Sequence, residues 1–425
     1  MDVFKDPRRL KKRIPLLEKA RLDLVLSLSL SPYIVLSPFN KFFSSRACLF
    51  YGRGFRSQGL MSNVLLIAEQ GKMSYELDGD VSSEDKPDGG LDMWSSCPEL
   101  SPSPPDHLVV MVHGILGSTT DWLFGASQFA KSFPDKIFVH CSNCNMRRLT
   151  LDGVDVMGER LAEEVADVTN SRPELKKISF VAHSVGGLVA RYALGRLYRP
   201  GGKVLENSDC IDKDDTRGTI CGLQAINFIS VATPHLGSRG NGQQVPFLFG
   251  FTAMEALASR VVHWIFGRTG KHLFLTDNDN GELPLLLRMV NDCSGLYFLS
   301  SLQAFKRRVV YANAGCDRWR TSSIRRNCEL PKWELALSQK YPHIVYEENS
   351  MGGNPDEYTQ VSPSDGDYEE EMVTGLSRVS WEKVDVSFHR SKQWIAAHSV
   401  IQVKYSFMQS EGADVIQHMI DHFLV

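Results

Sequence analysis

One stretch of this chain constrains its fold more than any other: Ile178-Ser179-Phe180-Val181-Ala182-His183-Ser184-Val185-Gly186-Gly187-Leu188-Val189-Ala190-Arg191. Its first half is a short apolar run with the composition of a buried strand, and its second half is built from helix formers after two glycines. A strand ending at Ala182 and a helix beginning just after Ser184 leave a sharp turn with a serine at its apex. In that context a hydroxyl is lifted above the carboxyl edge of a sheet as a nucleophile. The turn demands small residues two before and two after the serine, because side chains there collide. Gly186 meets the demand, and Ala182 places one methyl where glycine is usual. The plainer alternative is a serine that only caps a helix.

The surrounding sequence supplies the context for such a turn. Short β-branched apolar runs at His107 to Val112, Lys136 to His140, Lys177 to Ala182, Leu223 to Val231, Arg307 to Ala314 and Val379 to Phe388 are expected strands. Between the second and third, Val154, Met157, Leu161, Val165 and Val168 recur three and four apart, which predicts one apolar helix face with Glu159, Glu163 and Glu164 turned to solvent. Alternating strands and helices predict an α/β fold with a mostly parallel sheet covered on both faces. Upstream, Leu108-Val109-Val110-Met111-Val112-His113-Gly114-Ile115-Leu116-Gly117 runs from a strand into a glycine-bounded loop. Backbone N–H groups of Ile115 and Leu116 there, with that of Val185 directly after Ser184, are candidate donors to a developing oxyanion.

Composition changes along the chain and sets its expected boundaries. No acidic residue occurs between Asp23 and Glu69, where serines are interspersed with Lys41, Arg46, Arg53 and Arg56. Acid-poor leaders of this kind resemble organelle transit segments, so residues 1–68 are expected to be a leader to a plastid or other organelle; a peripheral anchor and a plain tail are the alternatives. Residues 69–106 turn acidic and end in Ser101-Pro102-Ser103-Pro104-Pro105, the composition of a disordered linker. Residues 107–425 are the expected globular domain. Within it, 347–371 carries nine acidic residues and no Lys or Arg and is expected as a solvated loop. An insertion at 238–302 holds Phe247, Leu248, Phe249 and Phe251, a density suited to a cap that meets lipid, although ordinary buried helices would need the same residues.

Forty-seven Lys and Arg against 50 Asp and Glu give a net charge of -3, so there is no global field to attract nucleic acid. Nine cysteines are odd in number and dilute in 425 residues, which favours reduced thiols and an intracellular or organellar setting. Cys141-Ser142-Asn143-Cys144 lacks a second pair for zinc, and the His418/His422 spacing lacks an evident third ligand.

The linked motifs Val112-His113-Gly114-Ile115-Leu116-Gly117, Asp152-Gly153-Val154 with Gly158-Glu159-Arg160-Leu161, Ala182-His183-Ser184-Val185-Gly186-Gly187, Ala232-Thr233-Pro234-His235-Leu236-Gly237 and Trp319-Arg320-Thr321-Ser322-Ser323-Ile324-Arg325 carry a resemblance. Through them the chain resembles the α/β-hydrolase superfamily and, within it, the putative serine esterase family of lipase-like proteins, particularly its plant-type members. The resemblance covers roughly residues 106–330 and 379–425. It implies a Ser-Asp-His hydrolase of esters, lipids included, with no metal or organic cofactor. The chain order Ser, acid, His of that fold assigns the acid to Asp317, after the strand ending at Ala314, although only Arg318 separates it from the Trp-Arg-Thr-Ser-Ser segment where relatives have a longer loop. The base is then assigned to His398, in the loop between the last strand and last helix where that fold puts its base, with His389 at the strand's end as the alternative. A non-catalytic binding protein on the same fold, and an acyltransferase or thioesterase using the same residues, stay open at the level of sequence.

Overall fold

The apolar runs fold into the sheet they predict. In the computed structural model, which describes residues 81–85, 90–95, 104–201, 217–238, 266–278, 281–293, 295–314, 323–325, 338–350, 368–406 and 409–425, they are β3 (His107–Val112), β4 (Ile137–Cys141), β5 (Lys177–His183), β6 (Gln224–Val231), β7 (Arg307–Asn313) and β9 (Trp381–Val386). All six are parallel; β3 is buried at every position and apolar on both faces from Leu108 onward, whereas β9 carries Glu382, Lys383 and Asp385 between its apolar residues. Three strands extend the edges antiparallel: β1 (Ser82–Asp85) and β2 (Leu91–Trp94) beyond β4, and β8 (Ile344–Ser350) beyond β9. Among the described residues the sheet has nine strands in the order β1-β2-β4-β3-β5-β6-β7-β9-β8. This is the α/β-hydrolase architecture, with Ser184 directly after β5.

Period-two alternation divides the core into two layers. Leu108, Val110 and Val112 of β3 face one side, where they meet α2 (Val154–Ser171), α3 (Val185–Leu197), α5 (Phe298–Ala304) and α6 (Tyr368–Leu376). Val109 and Met111 face the other, against α1 (Leu123–Ser132) and α8 (Ala413–Asp421). Along α2, Met157, Leu161 and Val165 are buried as their spacing requires, whereas Glu164, expected to face solvent, turns inward to His140, Ser142 and Asn143.

Several expected boundaries move. The stretch read as a linker, 69–106, contributes the β1–β2 hairpin. Its residues Leu91 and Met93 are buried, and Asp92 lies 2.6 Å from His140 on β4. The short alternation of these strands is hidden in acidic, glycine-rich composition. The acidic segment 347–371 is likewise entered by β8 at one end and by α6 at the other. In the insertion 238–302, residues 266–273 are helical, and α4 (Leu285–Arg288) and α5 follow; Leu273, Leu286, Leu287 and Phe298 are buried in the core. Phe247, Leu248, Phe249 and Phe251, and the leader 1–68, lie outside the described residues.

Candidate active site

The turn between β5 and α3 forces Ser184 into a left-handed backbone conformation, φ 56° and ψ −133°. Such a conformation persists in a non-glycine residue only when its surroundings over-determine it. Here the Ser184 N–H donates to the Val231 carbonyl at 2.8 Å, and the Gly187 N–H donates to the Ser184 carbonyl at 3.1 Å. Gly186 is required by the end of β3: a Cβ there lies 2.4 Å from the His113 carbonyl oxygen. Gly187 is required by Thr233, whose Oγ1 lies 2.1 Å from a built Cβ. Ala182 is fully buried, and its methyl joins the core layer.

His398 reaches this serine from the opposite end of the chain. It lies in the short α7 (Ala397–Val400), and its Nε2 stands 2.9 Å from Ser184 Oγ. His389 is elsewhere: exposed, with Nδ1 2.7 Å from Ser387 Oγ. Asp317 lies outside the described residues. The backbone of His398 is itself held. The Nε2–H of His183 donates to the His398 carbonyl at 2.7 Å, and the two rings lie 4.7 Å apart. Burial and the neighbouring His398 keep the His183 imidazole well below its ordinary pKa, so it is a neutral donor. The sequence placed His183 near the turn; its grip on the His398 carbonyl was not legible there, because the partner lies 215 positions away.

The His113–Gly117 loop faces the same turn. Gly117 N–H closes on the Gly114 carbonyl at 3.0 Å, and His113 Nδ1–H donates to that carbonyl at 3.0 Å. Leu116 corrects the expectation set for it: with φ 53° its N–H donates to Thr150 Oγ1 at 2.8 Å, which takes it out of the set of donors open to a substrate oxygen. The Thr150 hydroxyl in turn donates a hydrogen bond to the Arg147 carbonyl at 2.6 Å, and the Arg147 N–H donates to the Gly117 carbonyl at 2.8 Å. Among the described residues, neither the Ile115 nor the Val185 N–H is engaged in this way. Behind the loop, Val112, Gly114, Thr150, Met157, Val185 and Gly186 line a cavity of about 10 Å³, room for one water. On the outer side, Asp121 forms a buried ion pair with Lys404 at 3.0 Å, tying the loop's following turn to the segment that carries His398. Thr150, Asp121 and Lys404 went unnoticed in the sequence because nothing local distinguishes them from ordinary polar residues.

The remaining candidates hold structure. His235 bonds Ser230 Oγ at 2.9 Å and meets the buried Arg191, whose guanidinium also donates to the Met289 carbonyl. His418 lies between Tyr311 and Glu347, and among the described residues no group of His, Cys, Asp or Glu side chains is arranged to hold a metal. Burial pushes the Cys141 and Cys144 thiols up, away from thiolate chemistry. Arg325, the last residue of the Trp-Arg-Thr-Ser-Ser motif, is buried and clamps both oxygens of Asp385 at 2.8 and 2.9 Å while its Nε donates to Glu348 at 3.1 Å.

Comparison with known proteins identifies a family and several relatives. A match to the family described as "Putative serine esterase (DUF676)" spans residues 102–323, just over half of the chain. Among curated proteins, "Putative lipase ROG1" of Saccharomyces cerevisiae is 30% identical over 231 residues, covering 53% of this chain and 29% of that one. "Putative lipase C4A8.10" of Schizosaccharomyces pombe is 31% identical over 223 residues, covering 50% and 25%. The chain thus spans under a third of the length of these relatives. Among solved structures, the mature Bacillus licheniformis lipase BlEst2 is 17% identical, with a TM-score of 0.31 over 55% of this chain and 74% of that one.

Proposed function

The chain belongs to the putative serine esterase family, and from that premise we propose that it is a carboxylic ester hydrolase acting on lipid-like esters. The observation that carries this reading is the 2.9 Å approach of His398 Nε2 to Ser184 Oγ across a strained strand-to-helix turn. Ser184 attacks the acyl carbonyl while His398 takes its proton, then returns it to the departing alcohol. Water attacks the acyl-enzyme in the second half, and the same imidazole activates it. The N–H groups of Val185 and Ile115 hold the oxyanion, and each such donor is typically worth about 2.7–4 kcal/mol in the transition state. Asp317, which follows β7 in the sequence and lies outside the described residues, is the proposed orienting carboxylate. His183 is a positioning residue: by holding the His398 carbonyl it fixes where the imidazole hangs.

Transfer to an acceptor other than water would use the same atoms. The experiment is labelling of the purified chain by a fluorophosphonate, compared with Ser184→Ala. Labelling of the parent and its loss in the variant is the expected result. An unlabelled parent, or a labelled Ser184→Ala, removes the assignment.

A further inference from the structure

Two short segments flank the Ser184 site, and both carry charge that the catalytic reading leaves unused. The first, Arg147-Arg148-Leu149, lies in the connection after β4 and is pinned against the His113–Gly117 loop by the bonds of Arg147 and Thr150. The second, Arg390, Lys392 and Trp394, lies in the connection after β9, immediately ahead of His398. Because β4, β5 and β9 are parallel members of one sheet, both connections leave from the carboxyl edge, the edge at which Ser184 stands.

All six side chains named are exposed. Trp394 is 50% and Leu149 43% exposed, which places them among the most exposed large apolar residues described. Arg147, Arg148, Arg390 and Lys392 form no ion pair with a carboxylate among the described residues. Among the described acids, Asp121 pairs with Lys404 and Asp152 with Arg160. The carboxyl edge of the sheet thus carries four cations with no ion-pair partner among the described residues and two exposed apolar side chains, on two connections that border the Ser184 site.

We propose that this rim is a docking surface for an anionic lipid bilayer. Cations near an anionic surface gain from its potential, and an indole at the headgroup level places an apolar body inside and its N–H toward water. An acidic surface complements the unpaired charges, and an apolar acyl region complements Trp394 and Leu149; a soluble anion would leave the last two unused. Seated this way, the rim sets the carboxyl edge of the sheet, and Ser184 with it, toward the membrane. The biological use of that orientation rests on the hydrolase reading, whereas the docking itself does not.

The test uses full-length Ser184→Ala protein, so that vesicles stay intact, with co-sedimentation on phosphatidylcholine vesicles with and without phosphatidylserine. Binding should require phosphatidylserine and fall with added salt. Arg148→Glu with Lys392→Glu should weaken it on the order of tenfold or more, and Trp394→Ala should weaken it independently of salt. The same three substitutions in the Ser184 parent should leave turnover of a soluble short-chain ester unchanged. Equal binding to both vesicles, or rim variants that bind as the parent does, overturns the proposal. So does a rim variant that alters the oligomeric state while leaving vesicle binding intact, which would assign the rim to a second copy of the chain. Vesicle binding without fluorophosphonate labelling would remove the hydrolase reading alone; labelling without vesicle binding would remove the docking surface alone.

Discussion

Ser184 occupies a conformation that costs a non-glycine residue about 1–3 kcal/mol, and the residues around it show how that cost is sustained. The Val231 carbonyl fixes its N–H, and Gly186 admits the end of β3 to within contact of the turn. A methyl at 186 meets the His113 carbonyl, so Gly186→Ala should lower stability by about 1–3 kcal/mol and slow fluorophosphonate labelling, read by denaturant melts and labelling rates. A variant with the parent's labelling rate would show that the turn tolerates displacement. Ser184→Ala should lower kcat on a short ester by roughly 10⁴–10⁶ with the melt unchanged, since triad members act as a unit. His398→Ala should match that loss and His389→Ala should not; the reverse would move the base to His389. The serine and its glycines were legible in the sequence because the chemistry is local to five residues. The choice of His398 over His389 rested on where the resembled fold puts its base and not on any local pattern, since nine positions separate them and only the fold brings one imidazole to Ser184.

Among the elements, the central parallel strands were legible where burial on both faces writes itself as a nearly unbroken apolar run, as in β3, whereas β9 was legible by its β-branched valines alone. The edge strands were not. In β8, buried Ile344 and Val345 give way to partly exposed Tyr346, Glu347 and Glu348, so composition reads as loop while pairing with β9 makes a strand. Glu348 earns that position through Arg325, which bridges it to Asp385 on β9 and so fastens the end of the 319–325 motif to the sheet. Removing one member of a buried ionic cluster typically costs about 3–5 kcal/mol, whereas replacing the group with apolar residues is often neutral. Arg325→Met alone should therefore lower the melting temperature by several degrees, and Arg325→Met with Asp385→Leu should recover part of the loss. A double variant that sums the two single losses would mean that Asp385 stabilises through other contacts.

For the molecule as a whole, the β1–β2 hairpin carries the sheet beyond its parallel strands. Val81, Leu91 and Met93 are buried, and Asp92 joins β2 to His140 on β4, with Glu164 on α2 3.3 Å from the other ring nitrogen. Burial by itself would depress the His140 pKa, but the two carboxylates outweigh it and raise it from 6.5 to about 9. Burial likewise opposes the charge on Glu164, yet His140, Ser142 and the Asn143 N–H bring its pKa from 4.5 down to about 2. By linkage, the His140 contribution is complete below pH 6.5 and is lost as pH rises through about 9; the Glu164 contribution is complete above pH 4.5 and is lost as pH falls through about 2. The cluster thus stabilises most between these limits. Deleting residues 1–68 removes none of it, so the melting temperature of that chain should follow the parent's pH dependence. Deleting residues 1–95 removes Asp92, uncovers the edge of β4, and leaves His140 with Glu164 alone. That chain should melt lower at every pH, with the largest deficit near pH 6 and a smaller one above pH 9, where the parent too has lost the His140 proton. A deficit independent of pH would mean that the hairpin contributes through apolar burial and edge pairing only, and that the Asp92–His140 contact adds nothing to stability.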